Sequence, residues 1–311
     1  MGLIKKKMEL VFQPKIKMLI YGQAGVGKST LALSAPKPLI IDCDRGIHRV
    51  HYNHLGDAGI VQVESYQDVL DVLNNEDLSA FESIIIDTGG KLLDYMAEWL
   101  IAKTPKLGKQ NGALTLAGYQ ERKLEFIALC RKLNMKGLHV IFIAHRQTQQ
   151  EGDNFKYVPL FGGSNYDSLV TELDAVGYLE ANGRDRVITF DPTDRNDGKN
   201  TCNLPSAIKL PITVDANGNA LTNDFIEKFV IDAYIAKLAK AKEDAEAYNK
   251  VVAEIEALVN GCNSAQDLNG CILQMKDFNH IGTSKDKARY LISNRAKALN
   301  VTFDKSFGMY V

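Results

Sequence analysis

The run Gly22-Gln23-Ala24-Gly25-Val26-Gly27-Lys28-Ser29 is the first place in the chain where residue types and spacing prescribe a chemistry. It reads G-x-x-x-x-G-K-S without a gap, the spacing of a phosphate-binding loop. The glycines let the backbone curl so that successive N–H groups face a polyphosphate, backed by the positive end of the helix that follows. Lys28 then reaches the β- and γ-phosphates, and the Ser29 hydroxyl ligates Mg²⁺. The expected nucleotide-binding residues are Gly22, Gln23, Ala24, Gly25, Val26, Gly27, Lys28, Ser29 and Thr30. A chance glycine-rich turn is the alternative, but here an apolar run precedes the motif and a helix over Ser29–Ser34 is expected after it.

A metal held at the phosphates also needs a carboxylate from the end of another strand. IIDCD supplies Asp42 and Asp44, and SIIID supplies Asp87. A strand-end aspartate is ordinarily a turn former or helix cap. Three isoleucines ahead of Asp87 mark it as the acid that holds the metal with Ser29. One of Asp42 or Asp44 is then free to orient an attacking water.

These groups need a scaffold that delivers them to a common edge. Residues 16–21, 38–42, 83–87 and 138–144 are short apolar runs rich in β-branched residues, and 117–134 has helical periodicity. Strands apolar on both faces and separated by helices predict an α/β fold with a largely parallel sheet. Between 174 and 214 the pattern changes to a β-hairpin turning at Asn182-Gly183, with a second turn at Asp215–Asn219. Beyond Thr222, apolar residues such as Phe225, Phe229, Val251 and Ile255 recur at helical spacing, predicting two amphipathic helices or one long one. Shorter helices are expected at 264–275 and 284–299. The expected organisation is an extension over 1–14, an α/β core over 15–222 and a helical region over 223–311. That last region reads as a packing or oligomerisation appendage, or as a module for DNA or a partner.

With 45% hydrophobic and 24% charged residues the chain can bury a sizeable core, which excludes disorder and collagen-like repeats. A formal net charge of −1 excludes a histone-like basic protein, so any nucleic-acid contact must come from local loops. Cys43, Cys130, Cys202, Cys262 and Cys271 are scattered without a C-x-x-C pair, fitting a reducing compartment better than a disulfide or zinc framework. No apolar run is long enough to span a membrane and the start lacks a signal-peptide core. A cytoplasmic location without membrane contact is expected, in the host cytoplasm if the chain is phage-encoded.

Taken in order, the P-loop, IIDCDRG (40–46), SIIIDTGG (83–90) and VIFIAHRQ (140–147) resemble the RecA-like ATPase core over about residues 15–215. More closely, the chain resembles the short phage-type ATP-binding recombination and annealing proteins of the Sak class. The resemblance implies a RecA-like P-loop core with a terminal β-hairpin, ATP and Mg²⁺ as cofactors, and DNA-stimulated hydrolysis. It also implies single-stranded DNA as partner, a ring or filament of identical subunits, and a single-strand-binding protein as a further partner. Adenine over guanine rests on the resemblance alone. Asp44, two residues past Asp42, falls at the water-activating position, where the RecA branch carries glutamate. His145 falls where a polar residue senses the γ-phosphate, a place RecA fills with glutamine.

Two segments fall where the family places its DNA-binding loops. The first, 103–116, carries Lys103, Lys106 and Lys109; the second, 146–164, is long and polar and carries Arg146, Phe155, Tyr157 and Phe161. Cations that track phosphates and aromatics that stack on bases suit single strands. A solvent-facing loop without a partner is the alternative. In the polar turn 191–200, Arg195 and Lys199 fall where RecA-like assemblies present a cation to a neighbour's γ-phosphate; an ordinary charged turn is the alternative. Arg45 and Arg49 are nearer to the P-loop in sequence but follow the strand-end acid. Rival readings are a motor, loader or switch whose nucleotide state controls assembly, and a small-molecule kinase, since a P-loop alone does not determine the acceptor.

Overall fold

The computed structural model describes residues 14–151, 154–162 and 164–311; nearly all of the expected N-terminal extension lies outside them. In chain order the first elements are β1 (Lys17–Gly22), α1 (Lys28–Ala32), β2 (Pro38–Asp42), α2 (Tyr52–Leu55), β3 (Gly59–Gln62), α3 (Tyr66–Asn75), β4 (Ser83–Asp87), α4 (Gly89–Lys103) and α5 (Leu116–Met135). There follow β5 (His139–Glu151), β6 (Asn154–Pro159), α6 (Ser164–Glu172), β7 (Ala175–Asn182), β8 (Asp185–Thr189), β9 (Lys199–Asn200) and β10 (Ala207–Lys209).

The main path of the sheet runs β10-β8-β7-β1-β5-β4-β2-β3. Every pairing from β7 through β3 is parallel, and the β7–β8 and β8–β10 pairings are antiparallel. This is the expected α/β fold with a mostly parallel central sheet. Because β5 lies between β1 and β4, the register sets Gly22 beside His145, Asp87 beside Ile143, and Asp42 beside Asp87. Parallel strands in register end together, so the P-loop, both strand-end acids and His145 emerge along one edge. Ligands of open α/β sheets bind at that carboxyl edge.

Burial on both faces explains the uninterrupted apolar runs. Ile84 and Ile86 join Leu92, Leu93 and Met96 of α4 and Phe126 of α5 in one core. Ile85, Ile141 and Ile143 join Leu31 and Ala32 of α1 in the other. Each fully buried aliphatic side chain stabilises by about 1.5–3 kcal/mol. Side-chain caps set where the helices start: Thr88 accepts from the Lys91 N–H, Thr115 from the Gly118 N–H, and Ser65 closes a capping box with Asp68.

Two expectations about loops need correction. The second segment is not a long loop: β5 continues through Glu151 and returns as β6, with Arg146 opposite Pro159 and Gln150 opposite Phe155. Antiparallel pairing satisfies its backbone, so a polar strand persists without an apolar face. Phe161, expected beside the DNA, is fully buried against Phe126 and Phe142. The first segment is folded as well: Pro105–Leu107 form a 3₁₀ turn, Gly108 bridges Leu114, and Leu107 and Leu114 are buried.

The chain divides into two compact units, the first ending at Tyr234 and the second spanning Ile235–Val311. The first runs past the composition change at Thr222 because Phe225, Ile226, Val230 and Ile231 bury in the core shared with α1. Ile226–Asp232 there form a π-helical stretch. A long α7 (Ala233–Asn260) leads into the second unit, with α8 (Ala265–Lys276), α9 (Ser284–Ala298) and a small pair of strands, β11 (Phe303–Asp304) and β12 (Met309–Tyr310). Its core joins Ile255 and Val259 of α7 to Leu268 and Cys271 of α8 and Ile292 of α9. The C-terminal helical region expected from the sequence is present.

Candidate functional site

The P-loop leaves β1 at Gly22, where any Cβ would collide with the Leu179 carbonyl of the neighbouring β7. Gly25 and Gly27 have φ of 75° and 100°, a left-handed conformation that a side chain would strain. The loop hands over to α1 at Lys28, whose buried side chain curls back so that Nζ donates to the carbonyls of Gly22 (3.2 Å) and Gln23 (2.9 Å). Burial lowers its pKa, while Asp87 and Asp44 pull the other way.

Across from it, the Ser29 hydroxyl donates to Asp87 Oδ2 at 2.5 Å. Asp87 is buried, and burial raises its pKa to about 6, with Asp42 and Asp44 adding to the rise and the Ser29 bond and Lys28 opposing it. One hydroxyl and one carboxylate oxygen, adjacent at a phosphate loop, are hard donors that fit Mg²⁺, which keeps most of its other ligands from phosphate and water. A buried carboxylate with a raised pKa is also one short of positive charge. The pair expected to hold the metal is therefore brought together.

The two remaining acids separate cleanly. Asp42 is fully buried and accepts from the N–H groups of Gly46 (3.0 Å) and Ile47 (3.2 Å), so both its oxygens hold the turn after β2. The N–H groups of Cys43 and Asp44 donate to the Asp87 carbonyl, pinning that turn against β4. Asp44 keeps a partly exposed carboxylate, 3.9 Å from His145 Nε2. Burial and then Lys28 lower the His145 pKa, with Asp44 opposing, so the imidazole is neutral at pH 7.

Arg146, one residue on, turns to the opposite face of β5, as strand alternation requires. Its guanidinium donates to the Tyr178 hydroxyl at 2.7 Å, reaches Gln23 Oε1 of the P-loop at 3.4 Å, and lies 4.1 Å from the Tyr157 ring centroid. Expected as a DNA contact, it instead stands beside the phosphate loop. The sequence suggested no arginine there because only the β1–β5 register places it.

Other expected residues are placed elsewhere. Tyr157 stacks on Tyr178, with centroids 5.7 Å apart, and is covered by Arg146, so its ring is not presented to a base. Lys199 Nζ donates to the Val170 carbonyl at 2.7 Å in the last turn of α6, which binds it to its own subunit. Arg195 is exposed, 4.0 Å from Glu180. Lys103 lies over the Trp99 ring at 4.0 Å, whereas Lys106 and Lys109 are exposed and Phe155 is 62% exposed near the hairpin tip.

A cavity of about 230 Å³ opens beside Gly25, Gly27 and Thr30. Leu210, Pro211, Ile212, Val214 and Phe225 supply its apolar lining, and Arg184 and Arg186 line it as well. Arg186 also donates to the Val26 carbonyl (3.0 Å) and Asn223 to the Thr30 carbonyl (2.8 Å), tying the cavity wall to the loop. Sequence reasoning missed this wall. Its residues carry no motif, and only the return of the chain past β10 brings them to the P-loop.

A family model described as an AAA domain matches residues 14–202. The chain belongs to that family. The matched stretch holds the P-loop, Asp42, Asp44, Asp87, His145 and Arg146. Among solved structures the chain is similar to the RadB recombinase, at 16% identity over 56% of this chain and 79% of that one, with a TM-score of 0.35. It is also similar to the flagellar accessory protein FlaH from Methanocaldococcus jannaschii, at 10% identity over 62% and 84%, again with a TM-score of 0.35. No curated protein matches the chain. Among the described residues no helix is long and apolar enough to cross a membrane.

Proposed function

We propose that this chain is an Mg²⁺-dependent ATPase that binds single-stranded DNA and supports recombination or annealing of the phage type. The observation that carries the ATPase reading is the 2.5 Å contact of Ser29 with buried Asp87, beside a P-loop lysine and an Asp44 carboxylate left open to solvent. The P-loop N–H groups and Lys28 neutralise phosphate charge, and Lys28 exchanges its two backbone carbonyls for phosphate oxygens. Ser29 and Asp87 would hold the metal, which when bound would offset the negative charge of the phosphates. Asp44 accepts a hydrogen bond from the attacking water and orients it, and neutral His145 beside it contacts the γ-phosphate. Catalysis of this kind is positioning and electrostatics. The cavity beside Thr30 takes the base against its apolar wall, adenine in this reading.

The DNA part rests on exposed groups. Phe155 near the hairpin tip is available to stack, and Lys106 and Lys109 are available to phosphates. Subunits assemble as a ring or filament in which Arg195 reaches a neighbour's γ-phosphate, and a single-strand-binding protein is a further partner. The test is the rate of ATP hydrolysis with and without single-stranded DNA across a salt series. Stimulation that fades with salt is expected. Turnover indifferent to DNA refutes the DNA part, and turnover only with a small acceptor makes the chain a kinase.

A further inference from the structure

We propose that Arg146 reads the γ-phosphate within its own subunit and passes the nucleotide state to the β5–β6 hairpin. The inference rests on the ATPase reading above. All three of the guanidinium's described partners are neutral: the Tyr178 hydroxyl, the Gln23 amide and the Tyr157 ring. A planar, permanently charged fork gains far more from a doubly charged phosphate oxygen pair than from such partners, because charge-assisted bidentate bonds are roughly twice as strong as neutral ones. Arg146 is also close enough to respond. It follows His145, whose register partner is Gly22, the first residue of the P-loop, and its own bond is to Gln23, the second.

What Arg146 leaves behind links it to the hairpin. It pairs with Pro159 at the hairpin base, next to the Leu160 N–H bond to the His145 carbonyl. Its guanidinium covers Tyr157, whose backbone bonds to Arg195 and Asp197 and whose carbonyl accepts from buried Tyr21. When the guanidinium turns to a triphosphate, the Tyr157–Tyr178 stack loses its nearer cation and keeps only Arg195, 5.5 Å from the Tyr157 centroid, and the base of the hairpin loses a contact. A diphosphate does not reach far enough to draw it away.

The test compares Mg²⁺ complexes of ADP and of a non-hydrolysable β,γ-imido ATP analogue, by calorimetry and by amide hydrogen exchange of residues 147–151 and 154–158. In the wild type the imido analogue, and not ADP, should change exchange in the hairpin. Arg146→Ala should weaken the analogue at least tenfold while ADP binding, which also reports folding, changes less than twofold; Arg146→Lys should recover part of the loss. Tyr178→Phe removes the hydroxyl that holds the guanidinium back and should leave analogue affinity equal or tighter. Equal losses for both nucleotides in Arg146→Ala, or an unchanged preference, would make Arg146 a staple of the hairpin and overturn the proposal alone. A wild type that binds neither nucleotide overturns the ATPase reading and this one with it.

Discussion

Replacing Asp87 with asparagine should make the nucleotide-free protein more stable while impairing its function. Asp87 has its pKa raised from an ordinary 3.8 to about 6, chiefly by burial. The charged form is therefore disfavoured in the folded state. Well below pH 3.8 the carboxyl is protonated in both states and the penalty is absent; it grows between about pH 4 and 6 and is constant above. A displacement of that size corresponds to about 3 kcal/mol. Asparagine is nearly the same shape, still accepts from Ser29 and carries no charge, so at pH 7.5 it should recover up to that amount. For a unit of this size the upper bound is roughly 6–12 °C in melting temperature. The assay is thermal or urea unfolding without nucleotide or metal at pH 7.5 and pH 5. The gap between variant and wild type should shrink at the lower pH. Adding Mg²⁺ and ATP should reverse the order, because the wild type gains by mass action from a ligand the variant binds poorly. A variant less stable than wild type at pH 7.5 without ligand would refute the reasoning: the Ser29–Asp87 bond would then outweigh the cost of the buried charge.

Three further outcomes are expected. Lys28→Ala should weaken ATP binding at least tenfold, about 1.4 kcal/mol, measured by calorimetry. Asp44→Asn should retain Mg²⁺-dependent ATP binding while steady-state turnover collapses, whereas Asp42→Asn should cost about 1–3 kcal/mol of stability in urea unfolding, because one of the two N–H groups now meets an amide N–H₂. Replacing Lys106 and Lys109 together by alanine should reduce the salt dependence of single-strand binding by up to roughly 0.7 in log–log slope per lost contact, and Phe155→Ala should lower affinity at every salt by about 1–3 kcal/mol, both read by fluorescence anisotropy.

What could be read from the sequence is what neighbouring residues determine by themselves. The P-loop follows from glycines at φ values that strain a residue with a side chain, and the parallel strands follow from isoleucine runs that only two covered faces accommodate. The hairpin was unreadable because Gln147, Thr148, Gln149 and Gln150 have no apolar alternation; the strand exists through pairing with β6, a partner that composition does not reveal. Residue type alone places Arg146, Tyr157 and Lys199 in loops and turns. Their roles depend on register and on which helix end or ring stands opposite, and those are tertiary facts. The same limit hid the cavity wall at 210–214.

The charges around the P-loop share one property that links fold to function. Lys28 is buried on two carbonyls rather than on a carboxylate, Asp87 is buried on a hydroxyl rather than on a cation, and Arg146 rests on neutral partners. At the surface, by contrast, Lys37 meets Glu82 and Lys209 meets Asp185, each within 2.8 Å. An uncompensated buried charge is costly wherever water is excluded. In the function proposed above, a polyanion carrying a divalent cation would supply the missing partner to all three at once, the cation to Asp87 and the phosphate oxygens to Lys28 and Arg146. Neither component alone does so. Free ATP would leave Asp87 facing added negative charge, and free Mg²⁺ would leave both cations unpaired, so on that proposal the edge of the sheet matches the complex rather than its parts.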